Sequence, residues 1–148
     1  MLVPMTDPRN LEGGCLCGGV RYTYVGELDG NHGSVTICHC GQCRKAQGGP
    51  AAVAPVAAKG LQFVSGEDLI QEYQSSAGKF RAFCGRCGSP LYSRRAAFPA
   101  ILRLRLGSLG DAMPKLNIDA RIFFQDRASW EDSAAVAPAY PAEEPGRS

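Results

Sequence analysis

The sequence has almost no excess charge and no long apolar run. Lysine and arginine number 16 against 14 acidic residues, and the two signs are mixed along the chain, which gives no electrostatic basis for a nucleic-acid or membrane-surface partner. No segment approaches the ~18 apolar residues of a membrane span, and residues 1–10 lack the basic and then apolar pattern of a secretion signal. We therefore predict a cytoplasmic protein that binds neither nucleic acid nor membrane.

Helical periodicity is also scarce, whereas short β-type runs recur along the chain. Strands are predicted at 20–24, 34–38, 51–56, 61–64, 73–83 with a turn at 75–78, 101–106 and 121–124. One helical turn is predicted after the run CHCGQC. Aromatic residues on strands usually pack inside, so we assign these to the core: Tyr22, Phe63, Phe83, Tyr92, Phe123 and Trp130. The predicted fold class is mainly β.

A length of 148 residues is the usual size of one domain. We predict a flexible leader at 1–10, a metal-binding domain at 11–132, and a tail at 133–148. The tail is rich in alanine, proline and glutamate, so we expect it to be disordered.

The seven cysteines decide the class of protein. An odd number leaves one thiol unpaired, and a reducing compartment disfavours structural disulfides. The cysteines also fall into three tight groups, whereas free core cysteines would be scattered singly. We therefore interpret them as metal ligands.

The first and last groups together supply four thiolates. Cys15 and Cys17 are two residues apart, so in an extended chain their sulfurs would point to one side. Cys84 and Cys87 form a C-x-x-C-G knuckle in which Gly88 can take a positive φ. Four thiolates are the ligand set of a closed, structural zinc site, which would join segments 67 positions apart and stabilise the fold.

The middle group supplies only three thiolates, from Cys38, Cys40 and Cys43. A zinc ion with three protein ligands keeps a fourth position open, as catalytic sites do. Three thiolates make the ion a weak activator of water but suit it to hold an exogenous thiol. Two alternatives stay open: His39 closes the site as a fourth ligand, or the three thiols form a metal-free redox cluster.

Three segments carry a resemblance to a known family. GGCLCGGVRY, CHCGQCRKAQGG and FCGRCGSPLY resemble the signatures of the glutathione-dependent formaldehyde-activating enzyme family, which also contains the centromere protein V group. The likeness covers about Glu12 to Trp130, with all seven cysteines in order and spacing. It implies a β-tent fold of small antiparallel sheets, a structural zinc on Cys15, Cys17, Cys84 and Cys87, and a catalytic zinc on Cys38, Cys40 and Cys43.

The resemblance also implies carbon-sulfur lyase chemistry, which joins glutathione to formaldehyde as S-hydroxymethylglutathione or reverses that reaction. One departure lies near the C-terminus: Arg121 stands where relatives commonly read His, and Ser129 where they read Pro. This departure leaves both metal sites intact, so we expect any consequence to fall on the substrate.

The residues around the middle group suggest how a substrate would be bound. The partner predicted is a small thiol such as glutathione, attacking an aldehyde carbon as a thiolate. Arg44 and Lys45 are candidates for binding its carboxylate, or are solvated charges, and Gln42 and His39 for lining the pocket or hydrogen-bonding the ligands. The rival functions are a non-enzymatic zinc-binding interaction module, for which Arg103 and Arg105 provide too small a basic stripe, and a thiol redox or metal-sensing protein.

Overall fold

The fold is described from a computed structural model covering residues 10–28, 32–110 and 115–147. Within these ranges the chain forms ten strands: β1 Asn10–Gly14, β2 Arg21–Val25, β3 Thr36–Cys38, β4 Ala51–Ala57, β5 Leu61–Ser65, β6 Ile70–Ser76, β7 Lys79–Cys84, β8 Pro90–Arg95, β9 Ile101–Arg105 and β10 Ala120–Ile122. Two α-helices, α1 Gly41–Gln47 and α2 Ser129–Ala134, are both short. The predicted mainly β fold is confirmed.

The strands form two sheets of unequal size. A small sheet has the order β1-β2-β5, and a large one has the order β10-β3-β4-β9-β8-β7-β6. Every pairing is antiparallel except that of β10 with β3, which is parallel. The parallel pair places the segment after β10 beside Cys38 at the end of β3.

The main core lies between the small sheet and one face of the large sheet. Leu11, Tyr22 and Tyr24 pack from the small sheet against Val56 and Leu104 of the large one. The alternation of buried and exposed residues along β2 follows from the two-residue repeat of a strand. Because this core uses one face of the large sheet, the other face remains for a site.

The strand predictions agree with the structure more closely than the aromatic core prediction does. The hairpin predicted around 75–78 is present, with Ser76 of β6 opposite Lys79 of β7, and Gly48 ends α1 with a left-handed φ of 79°. Phe123 and Trp130, which we assigned to the core, are 57% and 50% exposed. That assignment is wrong because β10 ends at Ile122: Phe123 lies between β10 and a 3₁₀ turn at Phe124–Asp126, and Trp130 lies in α2.

The predicted domain limits can be compared with the structure at both ends of the described residues. Most of the predicted leader, residues 1–9, lies outside the described residues, and Asn10 already begins β1. From 132 to 147 every residue is exposed. No helix in the described ranges is long and apolar enough to cross a membrane.

Candidate metal centres and the adjoining cavity

Four cysteines from two distant segments meet at one point. Their Sγ atoms all lie within 4.8 Å of one another, with Cys15 and Cys17 at 3.5 Å and Cys17 and Cys84 at 3.9 Å. Cys15 and Cys17 lie in the turn after β1, and Cys84 and Cys87 flank the tight turn from β7 to β8. This four-cysteine cluster could hold a metal ion.

Local hydrogen bonds shape both loops of the four-cysteine cluster. The Gly88 amide donates to the Cys84 carbonyl at 2.7 Å, and Gly88 has the predicted positive φ, 81°. In the other loop the Cys15 amide donates to the Val20 carbonyl, so the first cysteine pair lies in a turn rather than in the extended segment we expected. The turn brings the two sulfurs together just as an extended chain would have done.

Ser89 connects the two loops of this cluster. Its hydroxyl accepts a hydrogen bond from the Leu16 amide at 2.9 Å and lies 3.2 Å from Cys87 Sγ. The hydrogen bond from Ser89 lowers the pKa of Cys87 to about 5. The loop geometry therefore favours the thiolate form that metal ligation requires.

The three cysteines of the middle group also converge. Cys38 ends β3, Cys40 caps the N-terminus of α1, and Cys43 lies in its first turn. Their Sγ atoms are within 4.8 Å of one another, and the Cys43 amide donates to Cys40 Sγ at 3.3 Å. This three-cysteine cluster could also hold a metal ion.

The three-cysteine cluster is set into the protein rather than displayed on its surface. Cys38 and Cys43 are buried, and Cys40 is partly so. Burial raises the pKa of Cys38 to about 12, so this thiol ionises near neutral pH only if a cation compensates the charge. One such cation is close, because Arg81 Nη1 donates to Cys43 Sγ at 3.7 Å.

The cluster opens into a cavity of about 730 Å³ formed against the free face of the large sheet. Five of its lining residues are basic, all from the adjacent strands β7, β8 and β9: Lys79, Arg81, Arg95, Arg103 and Arg105. Among the described lining residues the single carboxylate belongs to Asp126. The cavity is therefore strongly cationic and suited to an anionic ligand.

The register of the strands explains why these cations converge. Ser93 of β8 pairs with Arg81 of β7 on one side and with Arg103 of β9 on the other. Lys79 pairs with Arg95 in the same way. Because every second residue of a strand faces the same side, five separate basic residues form one surface.

Sequence reasoning missed most of this basic surface. It considered Arg103 and Arg105 as a nucleic-acid stripe and found two charges too few, but did not relate them to Lys79, Arg81 and Arg95. The signal was present in the alternation of basic and other residues in KFRAF and in LRLR. What the sequence could not supply was the order of the strands.

Of the residues predicted to contact the substrate, some line the cavity and others do not. Gln42 lines the cavity and accepts a hydrogen bond from Arg81 Nη2 at 3.4 Å. Arg44 donates to the Asp126 carbonyl at 3.0 Å, and Lys45 is exposed; neither is among the lining residues. His32 also lines the cavity and is exposed.

The side chain of His39 faces the C-terminal segment rather than the three cysteines of the middle group. It is buried, its Nδ1 lies 2.5 Å from Glu131 Oε1, and its ring meets Phe124 edge-on at 5.2 Å. Glu131 in turn accepts from the Ala128 amide. In the described ranges the groups of potential metal ligands consist of cysteines alone, and His39 is not among them. Through its contact with Glu131, His39 instead connects α2 to the segment between Cys38 and Cys40.

Arg121, the departure noted in the sequence, lies outside the cavity. Its guanidinium stacks on the Phe124 ring at 4.1 Å, and Arg127 stacks on the same ring at the same distance. Arg121 is therefore part of the packing of this segment and is not among the residues that line the cavity.

The fold and these sites define a class: a mainly β protein with a four-cysteine and a three-cysteine cluster, each able to hold a metal ion. Residues 10–126 match the family model described as glutathione-dependent formaldehyde-activating enzyme. The chain belongs to that family.

Two further comparisons agree with this assignment. A Halomonas elongata protein named "Putative glutathione-dependent formaldehyde-activating enzyme" is 27% identical over 127 residues, which cover 81% of this chain and 78% of that protein. The crystal structure of a Rhodobacter sphaeroides protein has 25% sequence identity and a TM-score of 0.59, covering 75% of this chain and 99% of the other.

Proposed function

We propose that this protein is a zinc-dependent carbon-sulfur lyase acting on a small thiol-aldehyde adduct of the S-hydroxymethylglutathione type. The observation that carries the proposal is the three-cysteine cluster opening into a cationic cavity. Three thiolates leave a coordination position for an outside ligand, and the five cations around it suit a thiol that carries negative groups.

The four-cysteine cluster fits a structural zinc ion. Sulfurs at the corners of a tetrahedron with zinc-sulfur bonds of 2.3 Å lie about 3.8 Å apart. The measured separations of 3.5 and 3.9 Å are close to that value. Cys15, Cys17, Cys84 and Cys87 would complete the coordination shell, so this ion would stabilise the fold and take no part in the reaction.

Cys38, Cys40 and Cys43 would hold the second ion. When bound, zinc supplies a Lewis acid that stabilises a thiolate near neutral pH. The cluster fits because Cys38 needs a compensating cation and Cys40 remains partly accessible from the cavity. We propose that Arg81, in contact with Cys43 Sγ, and the buried Arg105 offset the negative charge of the three thiolates.

The reaction requires no oxidant or reductant. In synthesis, a sulfur electron pair forms the carbon-sulfur bond with the aldehyde carbon, the carbonyl pair moves to oxygen, and that oxygen takes up the proton that the thiol released. In cleavage, the hydroxyl loses its proton, the oxygen pair re-forms the carbonyl, the carbon-sulfur bond breaks with its electron pair going to sulfur, and the thiolate takes up the proton on release. The cavity contributes by holding the anionic part of the thiol so that its sulfur faces the cysteine cluster.

We assign separate roles to the residues predicted around the middle group. Gln42 is placed to contact the substrate, and His39 is a positioning residue that holds the cysteine loop against Glu131. The carboxylate-binding role predicted for Arg44 and Lys45 passes to the basic residues of the sheet, which line the cavity. All seven cysteines are free thiols, which supports our proposal of a reducing compartment such as the cytoplasm.

The test is exchange spectroscopy with ¹³C-labelled formaldehyde and glutathione on anaerobically purified protein, with zinc measured on the same sample. We expect two zinc ions per chain and faster exchange between free formaldehyde and its glutathione adduct. Arg94→Gln is a control for the loss of a positive charge outside the cavity and should exchange formaldehyde as the wild type does. Arg94 lies next to Arg95 but pairs with Glu72 and does not line the cavity. Wild-type protein with two zinc ions and no acceleration would contradict the lyase proposal. A metal-free, disulfide-bonded middle group would favour the redox alternative.

A further inference from the structure

The five cavity cations divide into two sets by what they contact. Arg81 donates to Cys43 Sγ, and Arg105 is 4% exposed and lies in the electrostatic field of Cys43 and Cys38. These two belong to the three-cysteine cluster. The other three, Lys79, Arg95 and Arg103, line the cavity farther along the same face.

In the described part of the chain, the second set lacks an acidic partner. Among the described residues, no carboxylate lies within ion-pair distance of Lys79, Arg95 or Arg103. Burial lowers the pKa of Arg103, with the charge of Arg95 as the second cause. Three like charges held together at a cost to the folded protein indicate a site that a ligand completes.

Unpartnered polar atoms mark the same place. Within the described ranges, Arg103 Nη1 and Ser93 Oγ are buried without a hydrogen-bond partner. Ser93 pairs directly with Arg103 across β8 and β9, so the donors lie side by side. Buried polar groups in native proteins are normally satisfied, and both atoms border the cavity.

We propose that Lys79, Arg95 and Arg103, with Ser93, form a subsite for two carboxylates of the thiol substrate. The proposal rests on the proposed function and narrows it to thiols that carry two carboxylates away from the sulfur. A neutral thiol would bring no counter-charge to these three cations and a thiol with one carboxylate would bring only one, so the site would discriminate against both. Asp126, which also lines the cavity, would pair with the ammonium group of such a substrate.

The experiment separates this subsite from the chemistry by using a ligand with a blocked sulfur. S-methylglutathione keeps both carboxylates, and its diethyl ester keeps neither; binding of each is measured by calorimetry on the zinc-loaded protein. We expect the ester to bind at least about tenfold more weakly than the diacid, since it would leave the cations of the subsite without charge-assisted hydrogen bonds. Arg103→Met and Arg95→Met should each weaken the binding of the diacid by a similar factor.

Two variants control for effects unrelated to the subsite. Arg94→Met removes the neighbouring charge outside the cavity and should bind S-methylglutathione as the wild type does. Arg103→Lys retains the charge and should restore part of the affinity lost in Arg103→Met. Equal binding of diacid and diester, or wild-type affinity in both Met variants, would overturn the subsite.

The two proposals fail separately. If S-methylglutathione binds as expected but glutathione and formaldehyde show no accelerated exchange, the subsite stands and the lyase function falls. If exchange is accelerated while the Met variants keep wild-type affinity and rate, the function stands and the subsite falls.

Discussion

The two cysteine clusters place the same side chain in two different settings. The four-cysteine cluster draws its sulfurs from loops 67 positions apart, whereas the three-cysteine cluster takes all of its sulfurs from residues 38–43. The first joins the N-terminal segment to the β7–β8 turn, and the second lies within one strand end and one helix turn. Under the function we propose, this difference in connectivity separates a cluster that would stabilise the fold from one that would be free to react.

The largest effect is expected from breaking the four-cysteine cluster. Cys84→Ala removes a fully buried ligand, and the metal-binding free energy at stake, about 10 kcal/mol, equals the whole stability of a typical domain. We expect loss of the folded β spectrum by circular dichroism and loss of at least one zinc per chain. A folded Cys84→Ala protein that keeps two zinc ions would refute the stabilising role.

Breaking the three-cysteine cluster should instead spare the fold. Cys38→Ala removes a proposed ligand from a cluster whose sulfurs all come from one short segment, so the thermal midpoint should change by no more than a few degrees. Exchange between formaldehyde and its glutathione adduct should fall at least about 100-fold, because a metal ion contributes several kcal/mol to such a step. Unchanged exchange in a folded Cys38→Ala protein would show that the reaction does not use this cluster.

A smaller effect should follow from removing the cation that touches this cluster. Arg81→Met deletes the hydrogen bonds to Cys43 Sγ and Gln42, and charge-assisted bonds are worth about 1.5–3 kcal/mol. We expect kcat/KM for the proposed reaction to fall roughly 10- to 100-fold. Arg81→Lys, which keeps the charge without the planar fork, should fall between the wild type and Arg81→Met; identical values for all three proteins would exclude the role.

The smallest expected effect concerns how much the buried charge of Lys79 lowers the stability of the fold. Burial, followed by the charge of Arg81, lowers the pKa of Lys79. Below that lowered pKa the charged side chain destabilises the fold, and the cost shrinks as the pH rises from the lowered pKa towards the ordinary value of 10.5. Lys79→Met should therefore raise the thermal midpoint at neutral pH by about 1–2 °C, with the difference from wild type shrinking at alkaline pH. A lower midpoint in the variant would contradict this account.

The candidate metal ligands could be predicted from the sequence better than the residues that surround them. Cysteine spacing predicted both clusters because C-x-C and C-x-x-C-G fix local geometry that needs little tertiary information, and the β runs around Tyr22 and Leu104 were found by period. The cationic surface depends on β8 lying between β7 and β9, a fact that no local pattern contains. Phe123 and Trp130 were misjudged because β10 is only three residues long, so the aromatic pattern continued past the end of the strand.

The spacing of the clusters along the chain also sets the order in which they are completed during synthesis. All three cysteines of the middle cluster have been synthesised by residue 43, whereas Cys15 and Cys17 must wait for Cys84 and Cys87. At 5–20 residues per second, that interval lasts on the order of several seconds. The nascent chain thus carries Cys15 and Cys17 without their two partners while all three cysteines of the middle cluster have been made, and the strands that carry the basic surface have not yet been translated in full.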